Sequence, residues 1–361
     1  MSVSTNQPND RAWVEVDLGN LVENAQAVRR VAHDAPLLPM IKANGYGLGV
    51  QAVVRALESV DPWGFGVATM EEGRELRDIG VERPVVVFTP ASALQLGALL
   101  EHNLRPVLDD PAVIRQWPSD RPYHCEIDTG MSRAGVRWDD TKTLAAVVAS
   151  APEGVFTHFH SADENAATVS LQLDRFRTAL SAFTERPQLV HVCNSAGAWR
   201  VKDRFDLVRP GIFLFGGEIG NDLPTPSPVV SVRARVASLR RVRAGETVSY
   251  GGEWAADEET TVATIGVGYA DGLPRAIQGR AAVLVGGRRF PVVGRITMDM
   301  TMVHLGPNAG DDIAVGEVAT VIGTDGAGEI TLDEFAGWAG TISYEILVGL
   351  GPRLPRHYSP M

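Results

Sequence analysis

The sequence predicts an α/β protein, a (β/α)8 TIM-like barrel followed by a mainly antiparallel β domain. Three observations predict it. Short apolar strands alternate with helical stretches up to about residue 217. A proline-rich stretch, Asp222 to Pro228, then breaks the pattern. Beyond it strands dominate, and only Leu332 to Val348 looks helical. A doubly wound open sheet is the rival, but no GxGxxG follows the first strand.

Residues Trp13 to Leu18 alternate as a strand, expected to join the β domain. Asn20 caps a helix with Leu21, Val22, Ala25, Val28 and Val31 on its apolar face. Barrel strands are expected near residues 37–42, 63–69, 84–88, 105–108, 123–128, 154–158, 188–192 and 207–209. Helices fill the gaps at 51–59, 71–79, 94–102, 111–117, 141–149, 166–184 and 195–200. In the second domain strands are expected at 229–237, 261–268, 281–285, 303–305 and 318–322, with a hairpin turn at Gly286-Gly287. The expected organisation is a flexible end at 1–11, a barrel at 12–228 and a β domain at 229–361.

Composition narrows the class. Hydrophobic content of 45% with 21% charged residues suits a globular protein with ample core. A formal net charge of -11 argues against nucleic acid and against an anionic membrane surface. No apolar run reaches bilayer length, and residues 1–11 lack the apolar core of a signal peptide. Cys125 and Cys193 both lie in apolar runs and read as buried free thiols. Together these point to a cytoplasmic protein.

Chemistry in such barrels sits at the C-terminal ends of the strands. Polar residues fall there five times: Lys42, the run Asp128 to Arg133, His158, Asn194-Ser195, and Arg209-Pro210-Gly211-Ile212. Lys42 stands beside a loop with Gly45, Gly47 and Gly49 around Tyr46, a candidate Schiff-base or proton-transfer lysine. Ser195 and Gly211 make a candidate phosphate cradle. Each residue also has an ordinary reading, as a surface lysine, a satisfied barrel histidine or a structural ion pair.

The chain resembles the alanine racemase family of pyridoxal-phosphate enzymes from about residue 12 to the end. The motifs that carry the resemblance are Lys42-Ala43-Asn44-Gly45-Tyr46-Gly47, Asp128-Thr129-Gly130-Met131, Thr157-His158-Phe159, Asn194-Ser195-Ala196, Arg209-Pro210-Gly211-Ile212, Val248-Ser249-Tyr250-Gly251, Gly268-Tyr269-Ala270-Asp271-Gly272 and Gly294-Arg295-Ile296-Thr297-Met298-Asp299. The resemblance implies an isomerase that interconverts L- and D-alanine with pyridoxal 5'-phosphate. It implies a head-to-tail homodimer whose active sites join one subunit's barrel to the other's β domain. By resemblance, Lys42 bonds the cofactor and is one base, and Tyr250 from the partner is the other. Arg209 would face the pyridine nitrogen with His158 in support. Tyr46, Ser195, Gly211 and Ile212 would hold phosphate. Arg133 and the Met298 backbone would hold the substrate carboxylate. Tyr269 and Arg295 would line the substrate's approach, with Asp299 and Glu126 supporting. No metal site is expected.

Departures from the family pattern keep alternatives open. Glu126 stands where many relatives carry a carbamylated lysine that orients the arginine matching Arg133. Pro352 stands at a common tyrosine, Leu48 at a histidine, Phe215 at a tyrosine and Thr297 at a cysteine. The alternatives are a racemase of serine or of broad range, or a pyridoxal-phosphate lyase on the same scaffold. A decarboxylase would want a carboxylate where Arg209 stands. A metal-dependent lyase would want a His/Cys pair where the β domain offers only His304 before the C-terminal tail.

Overall fold

The computed structural model describes residues 9–33, 35–307 and 312–360. Most of the expected flexible end, residues 1–8, lies outside these. Its last two members are tied down. Asp10 accepts from His357 Nε2 at 2.9 Å, and Arg11 pairs with Asp271 at 2.5 Å. The chain divides into two compact units, one running Asn20–Ser227 and the other joining the N-terminal stretch through Gly19 to everything from Pro228 onward.

The first unit is a closed parallel barrel. Phe65–Val67, Val85–Val87 and Arg105–Pro106 pair in sequence, as do His124–Asp128, Gly154–Phe156 and Leu189–His191. Four parallel bridges close the ring: Leu37 with Val208, Met40 with Gly66, Val107 with His124, and Cys193 with Val208. The strands read as unbroken apolar runs because both faces are covered, one by the barrel interior and one by helices. Leu38, Val86, Val107, Phe156 and Leu207 form one core cluster. Helices Val50–Leu57, Met70–Asp78, Leu96–Glu101, Thr141–Ser150 and Ala166–Leu180 lie between strands. Both cysteines are free and buried, and burial pushes the Cys193 thiol up to about 12.

The second unit is built on one long strand, Val230–Val242. It pairs antiparallel with Ala12–Asp17, Thr260–Ile265 and Val318–Asp325. Arg356–Ser359 adds a parallel edge to Ala12–Asp17, so the first and last strands of the chain lie side by side. Gly286 and Gly287, at φ 56° and 74°, make the two-residue turn between Ala282–Val285 and Arg288–Pro291. Two successive positive φ values are why glycine stands at both. Among the described residues no helix is long and apolar enough to cross a membrane.

Candidate active site

Lys42 does not end a regular strand. The chain makes only bridges at Leu37 and Met40, then winds left-handed. Ala43, Asn44, Gly45 and Tyr46 take φ of 54°, 54°, 63° and 54°. Such backbone costs roughly 1–2 kcal/mol for each residue other than glycine. Hydrogen bonds offset that cost. The Glu72 carboxylate accepts from Ala43 N at 2.6 Å and Ala68 N at 2.7 Å. Asn44 Oδ1 accepts from Val50 N at 2.8 Å. The Tyr46 ring stacks on Phe215 at 4.3 Å. Glu72 also completes the capping box of Met70–Asp78 with Thr69. Strain held by so many bonds is characteristic of functional loops. Surrounding protein and the Arg133 charge hold the Lys42 amine below its usual range.

Gly211 meets this loop from the eighth strand. A Cβ there would overlap Tyr46 Oη, so only glycine lets the two segments come together. Gly211 N donates to the buried Ser195 Oγ at 2.8 Å. Ile212 opens the short helical turn Ile212–Phe215. Ser195 itself lies in the turn before Gly197–Arg200, where Asn194 Oδ1 accepts from Gly197 N at 2.9 Å. Tyr46, Ser195, Gly211 and Ile212 therefore cluster as a cradle.

Arg209 is buried at this end of the barrel. Nη1 donates to His191 Nδ1 at 2.8 Å and to His191 O at 2.9 Å. Nη2 donates to Thr157 O at 2.8 Å and, weakly, to Val192 O at 3.4 Å. Four donors are thus spoken for. The fifth, Nε–H, meets no acceptor among the described residues. Burial pushes the guanidinium down to about 10, which still leaves it charged near neutrality. The imidazole bonded to Arg209 is His191, not His158. His158 sits near Arg209, Arg133 and Lys42, and burial with these three cations pushes it down to about 3. A neutral His158 is the consequence. The missed residue, His191, hides inside an apolar strand. The available signal was its alternation with Cys193, which puts both on one face of the strand beside Arg209.

Arg133 stands on an exposed loop braced from below. Asp128 Oδ1 accepts from Gly130 N and Ser132 N at 3.0 and 2.9 Å. Thr129 Oγ1 meets Thr157 Oγ1 at 2.7 Å, and Gln172 Nε2 donates to both Thr129 Oγ1 and His158 O. Glu126 is buried, and burial raises its carboxyl against the attraction of Arg133 and Arg209. No Glu126–Arg133 ion pair forms among the described residues. The expected orienting role of Glu126 thus has no direct bond behind it.

In the other unit the remaining candidates gather on and around one segment, Gly294 to Met300. Ser249 Oγ donates to Arg295 O at 2.6 Å, which fixes the Tyr250 turn to it. Arg295 Nε donates to Glu253 at 2.8 Å. Tyr269 N and Ala270 N donate to Thr297 O and Met298 O at 3.1 and 2.9 Å. Gly268 has no room for a Cβ against those carbonyls. Asp271 is fully buried between Arg11 and Arg353, and Arg353 also holds Asp299 at 2.7 Å. Around this frame Tyr250, Tyr269 and Met298 stand 70%, 44% and 51% exposed, too open for packing residues. His357 and Tyr358 lie in the edge strand Arg356–Ser359.

Comparison with known proteins agrees with both halves. The family model "Alanine racemase, N-terminal domain" matches residues 16–219, and "Alanine racemase, C-terminal domain" matches 229–358. The chain is 39% identical over 354 residues to the alanine racemase of Deinococcus radiodurans, covering 96% of this chain and 98% of that protein. Its fold is similar to that of alanine racemase from a D-cycloserine-producing Streptomyces lavendulae, with a TM-score of 0.90, 32% identity and 98% of each chain covered. It is also similar to alanine racemase from Bartonella henselae with covalently bound pyridoxal phosphate, at a TM-score of 0.88 and 27% identity, covering 97% of this chain and 100% of that one.

Proposed function

The chain belongs to the alanine racemase family, and we propose that it interconverts L- and D-alanine with pyridoxal 5'-phosphate by two bases, Lys42 and Tyr250. The observation that carries this reading is Arg209. Its four terminal N–H groups are committed to His191, Thr157 and Val192, and its Nε–H alone is left for a ligand acceptor. That donor suits a pyridine nitrogen. The glycine-only approach of Gly211 to Tyr46, beside Ser195, suits the phosphate.

Bound there, pyridoxal phosphate would draw electron density from the α-carbon and make its proton removable. The residues do the rest. Lys42 anchors the cofactor and moves a proton at Nζ, aided by an amine held below its usual range. Tyr250 Oη serves the opposite face. Arg209 stays charged and donating, so it does not protonate the ring nitrogen, which limits how far charge spreads into the ring. Arg133 binds the substrate carboxylate with the Met298 backbone. Tyr269 and Arg295 line the approach, and Asp299 holds that segment through Arg353. Glu126 acts on Arg133 through its charge across a gap.

We propose a head-to-tail homodimer in which Tyr250, Tyr269 and Met298 complete the partner's site. Their exposure in the single chain supports this. Two buried free thiols support a reducing, cytoplasmic setting. The test is α-proton exchange: loaded protein in heavy water with L-alanine, L-serine and other amino acids. Deuterium at the α-carbon with inversion, strongest for alanine, is expected. Exchange with retention alone would contradict the two-base reading, and loss of carbon dioxide would make the protein a lyase.

A further inference from the structure

Behind Arg209 a line of buried polar groups runs down the barrel interior. Arg209 Nη1 donates to His191 Nδ1 at 2.8 Å. His191 Nε2 lies 2.9 Å from His124 Nδ1. His124 Nε2 faces Glu153 Oε2 at 3.3 Å. That last contact is long, and His124 Nε2 is the one buried side-chain polar atom among the described residues without a hydrogen bond of ordinary geometry. Glu153 is held from beyond by Arg105 Nε at 2.7 Å. The line starts at the C-terminal end of the barrel. It finishes at the opposite end, where Glu153 precedes Gly154–Phe156 and Arg105 opens its strand.

The line has a direction. A guanidinium only donates, so His191 Nδ1 must accept. A neutral His191 then carries its proton on Nε2 and donates it to His124 Nδ1. A neutral His124 likewise carries its proton on Nε2, pointed at the Glu153 carboxylate. Both histidines are fully buried, and burial together with the Arg209 charge keeps both below the usual range. Burial would raise Glu153, but its bonds to His124 and Arg105 hold it below the usual range, so it is an anion.

The surroundings are fitted to this line. A Cβ on Gly154 would overlap His124 Nδ1, so the chain leaves that space to the imidazole. Phe156 stacks on His191 at 4.9 Å and lies under Arg209 at 5.1 Å. Apolar side chains would fill a barrel core at lower desolvation cost than two imidazoles. The gain here is orientation. With Nη1 held by both His191 Nδ1 and His191 O, the plane of the guanidinium is set, and with it the direction of Nε–H.

We propose that Glu153, His124 and His191 are positioning residues for Arg209: a one-way hydrogen-bond line that fixes both imidazoles as Nε2–H tautomers and aims the Arg209 Nε–H at the cofactor ring nitrogen. The last step rests on the functional reading above; the tautomers do not.

The test uses the full chain, 15N-labelled at histidine, with ring-nitrogen NMR near neutral pH and with the cofactor bound and removed. His124 and His191 are assigned from the signals that Glu153→Gln and His124→Gln displace. Both are expected neutral and protonated at Nε2. An imidazolium or an Nδ1–H tautomer at either would overturn the proposal. The second readout is pyridoxal phosphate labelled at its ring nitrogen. Glu153→Gln removes the charge at the end of the line while keeping an acceptor. It should shift that ring-nitrogen signal and weaken cofactor binding by roughly tenfold, the scale of one charge-assisted bond. A folded Glu153→Gln protein with unchanged ring-nitrogen signal and affinity would overturn the proposal. A wild-type chain that shows both Nε2–H tautomers but exchanges no α-proton of alanine would support the line and sink the functional reading instead.

Discussion

Glu126 is where a single residue's charge can be read two ways. Its carboxyl is buried, makes no ion pair with Arg133 and has its pKa raised by desolvation. A carboxyl with a raised folded pKa weakens the fold once it ionises. That penalty appears as pH rises above the ordinary 4.5 and is complete above the folded value. Glu126→Gln should therefore stabilise the barrel at pH 7, with the gain fading as pH falls towards 4.5 and absent below it, as urea titrations at both ends of that range would read. The same variant should raise KM for alanine while leaving cofactor loading intact, because Arg133 loses the field that attracts it. Unchanged KM would remove Glu126 from the site. The identity of the charged residues was legible in the sequence, since Lys42, Arg133, His158 and Arg209 fall at or just beyond the expected C-terminal strand ends. The pairing was not. Whether Arg209 meets His158 or His191 depends on level along the strands rather than on face, since His191 pairs with Phe156, two residues before His158.

At the scale of the element, the Lys42 loop shows how a local sequence is overruled. The apolar run into Lys42 predicts a strand continued to that residue, and the glycines after it predict a flexible loop. The backbone instead winds left-handed through Ala43, Asn44 and Tyr46, of which only Asn44 visits that region readily. Glu72, twenty-nine residues on, supplies the acceptor for Ala43 N. Nothing local could announce that bond. Glu72→Ala should cost about 1–3 kcal/mol, because three backbone donors, Ala43 N, Ala68 N and Thr69 N, lose their acceptor. It should also lower occupancy at Lys42, read as visible absorbance of bound cofactor per chain. Full loading with wild-type stability would show that the turn holds itself.

At the scale of the whole molecule, the barrel stores neutral histidines and this sets its response to acid. His158 is pushed down from 6.5 to about 3, and His124 and His191 are also lowered. Depressed folded values mean that the unfolded chain takes up protons first. Stability present above 6.5 is lost as pH falls, and His158 alone should account for about 2 kcal/mol between there and about pH 5. Denaturant midpoints measured across that range should fall; a flat profile would mean that the histidines open to water. The α/β alternation, the proline-rich break and the strand-rich remainder were legible because they follow from periodicity. The first strand's place beside Arg356–Ser359 was less so, because that pairing joins the two ends of the chain.

The most direct test of the two-base, shared-site account mixes two damaged subunits. Lys42→Ala and Tyr250→Phe chains are co-expressed with different tags, and the mixed dimer is purified and assayed for alanine racemisation. Each variant alone should be nearly inactive. The account predicts activity in the mixed dimer, where one site joins an intact Lys42 to the partner's intact Tyr250. A mixed dimer as inactive as its parents would contradict it.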